Sequence, residues 1–164
     1  MDWEVFLRWS HVLGATVLLG TGAGIAFFMV MANRTRDAKL IAHVAGTVVI
    51  ADFIFTASAV ILQPVTGYLL LREIGWSLSE GWIVISLLLY VLTGIFWLPV
   101  VFVQMRLRDL AAQAAASGLP LPQAYHRLFF AWMLSGIPAF IAVLVIVWLM
   151  LAKPEISLPE IMLF

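Results

Sequence analysis

Residues 8–24 read RWSHVLGATVLLGTGAG, with an arginine and a histidine at the head of an apolar run that also carries Gly14, Gly20, Gly22 and Gly24. All four glycines fall inside a stretch that must form one helix. The chain around it decides what kind of helix. Of 164 residues, 64% are hydrophobic and 11% charged, with formal net charge zero. A soluble domain of that composition would have a largely apolar surface, so the chain reads as an integral membrane protein.

Crossing about 30 Å of hydrocarbon takes roughly 20 apolar residues. Working outward from residues 8–24, four runs qualify: about 5–31, 41–71, 82–105 and 128–151. The second is long for a straight perpendicular helix, and Pro64 lies within it, so tilt or a kink near Val60 is expected. The connections are short, so consecutive helices should be antiparallel neighbours. The expected fold is an all-α membrane protein, a single domain over 1–164 forming a four-transmembrane-helix antiparallel bundle. The stretch 109–123 reads first as a helical extension of span three, which Gly118, Pro120 and Pro122 then end.

Charge sets the expected orientation. Arg34, Arg36 and Lys39 follow span one, and Arg106, Arg108 and Arg127 lie between spans three and four. The loop after span two holds one arginine and two glutamates. The positive-inside rule then puts both termini on the periplasmic side of a bacterial inner membrane. Trp3, Trp9, Trp76, Trp82 and Trp148 cluster near the outer ends, as an aromatic belt does. The first residues, MDWEVFLR, carry acids where a signal peptide carries a basic region, so span one reads as retained rather than cleaved.

Several functions are excluded or left without support. There is no basic stripe for nucleic acid. With no cysteine there is no disulfide framework, thiolate metal site or cysteine nucleophile. No HExxH, GxSxG, GxGxxG or P-loop motif is present.

In lipid, polar side chains face other helices. At about 100° per residue, Glu4, Arg8, His11, Ala15 and Gly22 share a face of span one. Asp52, Thr56, Gln63 and Thr66 share one on span two, and Ser86, Tyr90, Thr93, Trp97 and Gln104 one on span three. Trp132, Ser135, Gly136 and Ala139 form a small-residue stripe on span four. Gly20 and Gly24 lie opposite His11 as a small-xxx-small pair, suited to packing within the bundle or to a homodimer or larger complex.

The candidate site follows from these faces. His11 is the candidate metal ligand, an axial ligand to haem b, with Gly14 and Gly22 making room for the flat macrocycle. The alternative is a histidine hydrogen-bonded to Glu4, Gln63 or Tyr90. Gln63 and Tyr90 are expected to orient His11 or the cofactor, and Arg8 to meet an anionic group such as a haem propionate or a quinone substituent. His43 and His126 sit at matching depth at the inner interface, where they would ligate from both sides or simply anchor there. His43 lies about 180° round the helix from Asp52, so both face the interior only if span two is irregular. Asp52, about 13 Å into span two from His43, is the candidate proton-handling catalytic group, or a carboxylate paired with Arg34, Arg36 or Arg106. Pro64 frees the carbonyl of Val60, which is then available to line a cavity.

The stretches SHVLGATVLLGTGAGIAFFM, ADFIFTASAVILQPVTGYLL, LTGIFWLPVVFVQMRLRDLA, LPQAYHRLFFAWMLSGIPAF and WLMLAKP together resemble a bacterial family of predicted integral membrane proteins, domain-of-unknown-function family 2269. The resemblance covers nearly the whole chain and implies a four-span inner-membrane protein. A looser similarity links the histidine-bearing, glycine-bearing first span to HemJ-like protoporphyrinogen oxidases and to copper-resistance D-like and b561-like membrane cytochromes. That similarity implies haem b held by His11. No second interior histidine lies at the depth of His11, which leaves a five-coordinate haem, a non-histidine sixth ligand, or no haem at all. Three functions are expected from this reading: a haem-binding or redox-linked protein with Asp52 handling protons; an accessory subunit or assembly factor; or a small proton-coupled transporter acting as a dimer.

Overall fold

The computed structural model describes residues 2–157 and is all-helical over them. Four helices are long and apolar enough to cross a membrane: α1 (Trp3–Thr35), α2 (Ala38–Ile74), α3 (Gly81–Ser117) and α4 (Gln123–Ala152). Each runs opposite to the one before it. One end of the bundle carries the tryptophans Trp3, Trp9, Trp76, Trp82 and Trp148, and the other carries Arg34, Arg36, Arg106, Arg108 and Arg127. Exposed Phe27, Phe28, Phe53, Phe55, Phe102 and Phe130 are among the large apolar side chains that coat the outside, as a lipid-facing surface requires.

The turns are made where the backbone chemistry allows them. Arg36 takes a left-handed conformation (φ 57°) after α1, and the Asp37 carboxylate then accepts from the Lys39 N–H at 2.8 Å to start α2. Gly75 (φ 82°) ends α2, and Gly118 (φ 67°) ends α3. The extension of α3 beyond the apolar run is therefore real, and Gly118 stops it as expected.

α2 departs from the expected shape. Pro64 lies inside regular α-helix, and the irregularity comes earlier, as a π-helical turn over Asp52–Thr56. His43 stays exposed, so this turn does not bring it inside. The expected ends were also short of the observed ones, because the helices continue past the apolar runs into the polar ends.

Packing differs between the two halves of the bundle. In the arginine-bearing half all four helices share one core, with Met29, Ile41, Leu107, Ala111 and Tyr125 at 0–1% exposure. In the tryptophan-bearing half the helices pack in pairs. The backbone of Ala57–Ile74 lies close to α1 and no longer close to α3, and its end meets the α3–α4 pair through side chains, with Leu71 and Trp76 packed against Trp82, Ile83 and Leu149. Beyond the π turn the two pairs, α1–α2 and α3–α4, therefore meet through side chains rather than close backbone packing.

The α1–α2 contact rests on two glycines that admit polar side chains. A Cβ on Gly14 would lie 2.5 Å from Gln63 Nε2, and one on Gly67 would lie 3.1 Å from His11 Cε1. Gly20 has nothing within 4 Å of the same position. Gly14→Ala is therefore expected to destabilise the protein by about 1–3 kcal/mol through forced displacement of Gln63. Gly20→Ala should change stability by less than about 1 kcal/mol. Thermal unfolding of both variants in mild detergent checks the contrast.

Candidate functional site

His11 sits on the third turn of α1, half-buried against α2. Its Nδ1 lies 2.9 Å from Thr66 Oγ1, and that hydroxyl lies 2.7 Å from the Leu62 carbonyl. A threonine hydroxyl has one proton to donate. With that proton on the Leu62 carbonyl, Thr66 accepts from His11 Nδ1–H, and the lone pair of a neutral ring is then on Nε2. The partner of the His11 ring is thus Thr66 rather than Glu4, Gln63 or Tyr90.

Gln63 and Tyr90 both act on backbone. Gln63 Nε2 donates to the His11 carbonyl at 2.7 Å, through the space that Gly14 leaves. Tyr90 donates its hydroxyl to the Val60 carbonyl. Val60 is four residues before Pro64, whose ring nitrogen carries no proton, so the freed carbonyl is the one Tyr90 satisfies. Arg8 pairs with Glu4 on the exposed end of α1. Gly22 has open space around it. His43 and His126 are exposed at the arginine-bearing end. Among the described residues, no three His, Cys, Asp or Glu side chains gather where they could hold a metal ion.

Asp52 stands about 21 Å from the start of α2, at the level where the four-helix core gives way to paired helices. It is 4% exposed. Oδ1 accepts from Trp97 Nε1 at 3.3 Å. Oδ2 has no hydrogen-bond partner, and neither has the hydroxyl of Thr56, 7% exposed, on the same π turn. No arginine pairs with Asp52 among the described residues; Arg108 pairs with Asp109 and Arg8 with Glu4. Gln104, further along α3 toward the arginine-bearing end, is 4% exposed with Oε1 also unpartnered.

The site thus has two levels. His11, Gln63, Thr66 and Gly67 join α1 to α2 near the tryptophan-bearing end. Asp52, Thr56 and Trp97 join α2 to α3 near mid-bundle. Trp97 and Thr56 belong to the polar stripes visible in the sequence. Nothing in residue type alone marked the π turn that presents Asp52 and Thr56 together.

The sequence profile of the family described as "Predicted integral membrane protein (DUF2269)" matches residues 5–154, and the chain belongs to that family. No curated protein and no solved structure matches it.

The pairing of Tyr90 with Pro64 is directly testable. Tyr90→Phe strands the Val60 carbonyl and should cost about 1 kcal/mol, the scale of a hydrogen bond within a membrane. Pro64→Ala restores an N–H to that carbonyl, so the cost of Tyr90→Phe should shrink toward zero in the Pro64→Ala background. A double-mutant cycle on unfolding free energy reads this coupling.

Proposed function

We propose that this member of the predicted integral membrane protein family is a proton-handling membrane protein, with Asp52 as the group that takes up and releases the proton. One observation carries the reading: a carboxyl group buried mid-bundle, held at one oxygen by Trp97 and unpartnered at the other. An ionised carboxylate in hydrocarbon with no cation beside it is costly, and such groups mark proton relays. Trp97 Nε1 is a fixed donor to Oδ1, so Oδ2 is the atom that takes the proton. The Thr56 hydroxyl, unpartnered on the same turn, has the chemistry to donate to a carboxylate or to accept from a carboxylic acid. A π turn inside a helix is a frequent feature of functional sites, and here it carries both side chains. On this reading the arginine-bearing end faces the cytoplasm of a bacterium and the protein lies in its inner membrane, in keeping with the positive-inside rule.

A second reading rests on His11. A ligating histidine usually donates its other ring N–H to an acceptor that fixes its orientation, and Thr66 is placed to be that acceptor. Haem b, when bound, supplies one-electron transfer; His11 Nε2 would ligate it and Thr66 would hold the ring. Gly14 provides no room for the macrocycle, because Gln63 occupies that space.

Infrared spectroscopy separates the two. The wild-type protein in lipid should show a protonated-carboxyl stretching band that changes with pH, lost in Asp52→Asn and kept in Asp52→Glu. Absence of any titrating band attributable to Asp52 would remove the proton reading. For the second reading, protein made with haem supplied should show a Soret band that His11→Ala abolishes and Asp52→Asn retains; a featureless spectrum would remove haem and leave the Asp52 reading intact.

A further inference from the structure

The segment that follows α4 folds back over the start of α3. α4 ends at Lys153, whose N–H still bonds the Leu149 carbonyl at 2.9 Å and whose backbone is left-handed (φ 43°). A lysine is strained in that conformation, and Pro154 cannot continue a helix, so the chain turns here. Two of its side chains then land on the tryptophan-bearing end. Lys153 Nζ lies 4.7 Å from the centre of the Trp76 ring and 5.9 Å from that of Trp82. The two rings meet edge to face, 5.0 Å apart. Ile156 packs on the cluster of Trp82, Ile83 and Leu149.

Gly81, the first residue of α3, is fitted to this contact. A Cβ there would run into the Ile156 carbonyl oxygen and lie 2.8 Å from Ile156 Cβ. The backbone of Gly81 does not itself call for glycine, since the glycines with positive φ are Gly75 and Gly118. What the missing side chain provides is room for Ile156. The ammonium of Lys153 also has a choice of neighbours. Glu80 and Glu155 border the same cavity of about 520 Å³ as Trp76, Trp82 and Lys153. Among the described residues neither carboxylate forms an ion pair with Lys153; the ion pairs are Glu4–Arg8 and Arg108–Asp109. The ammonium lies on the two aromatic rings instead, a placement favoured by the negative potential of an indole face.

From these contacts we infer that Trp76 and Trp82 form a cation site whose occupant is the Lys153 ammonium, and that residues 153–156 are the latch that closes the tryptophan-bearing end. This short segment joins the α2–α3 turn through Trp76 and the head of α3 through Gly81 and Trp82. It does so where the backbone of α2 is no longer close to α3, so the latch replaces a contact that the helices do not make there. The latch is also built to open locally. Lys153 is exposed and Ile156 half-buried, whereas Ile83 and Leu149 beneath them are buried between α3 and α4. The inference does not depend on Asp52 or His11.

The sequence has two lysines, Lys39 and Lys153, so selective ¹³C-lysine labelling of the whole protein in lipid nanodiscs separates them easily. Lys39 is exposed at the opposite end and serves as the reference. The inference expects the Lys153 ε-methylene protons upfield of those of Lys39, because ring currents shield protons above an aromatic face. The shift should be lost in Trp76→Leu. It should also be lost in Gly81→Ala, which adds one methyl group and leaves the lysine untouched. Cleavage after Glu155 by a glutamate-specific protease reads the opening itself. Lys153→Met should raise its rate about two- to five-fold, the scale of one exposed cation–ring contact, and Lys153→Arg should keep the wild-type rate. Coincident lysine signals in the wild type, or a Lys153 signal that Gly81→Ala leaves in place, would overturn the latch. So would equal cleavage rates in the wild type and Lys153→Met. Should Gly81→Ala fail to fold, the protease comparison of Lys153→Met with Lys153→Arg decides the question alone.

Discussion

Pro64 removes the backbone N–H that would otherwise close the helix over the Val60 carbonyl, and in hydrocarbon no water stands ready to replace it. The carbonyl must find a donor within the protein, and Tyr90 on α3 supplies it. This one requirement ties the two helix pairs together at a level where their backbones no longer pack closely. The same rule governs the neighbouring contacts. Gln63 spends its amide on the His11 carbonyl, and Thr66 takes the His11 ring. Several polar side chains in the tryptophan-bearing half have a defined partner, often backbone, while the buried Trp82 Nε1 has none.

Asp52 and Thr56 are more deeply buried than His11, and Asp52 Oδ2 and Thr56 Oγ1 have no partner, as is also true of Trp82, Gln104, Tyr125 and Trp132; among these Asp52 is the one carboxyl group. Polar groups that stabilise a fold are normally satisfied, and a half-satisfied carboxyl at mid-bundle makes poor structural sense. Its position does make functional sense. It lies on a π turn at the level where the backbone of α2 leaves α3, and Trp97 of α3 reaches across to its Oδ1.

Much of this was legible in the sequence for physical reasons. Four apolar runs and a charge bias specify spans and connections, and Gly118 ends α3 because a left-handed residue is needed there. The interior faces were also legible, because in lipid the polar residues have nowhere else to go: Asp52, Thr56, Thr66, Ser86 and Gln104 are all buried as their shared faces required. What could not be read was pairing. His11 was matched by depth with Gln63 and Tyr90, and both turned out to bind carbonyls, which no side-chain pattern displays. Gly14 suggested room for a flat cofactor, and the structure fills that room with Gln63. Pro64 did mark the Val60 carbonyl as freed from its helix bond, and Tyr90 is the donor that takes it. The π turn lies in DFIFT, a stretch with neither glycine nor proline to announce it, at the level where α2 passes from α3 toward α1.

The central claim is that the Asp52 carboxyl changes its proton while Trp97 holds it. The Trp97 indole N–H resonance, followed through a pH titration of the whole protein in lipid nanodiscs, tests this most directly, because that N–H points at Asp52 Oδ1. The account predicts a shift that follows a single titration and vanishes in Asp52→Asn. A Trp97 resonance that is independent of pH in the folded wild-type protein would contradict it.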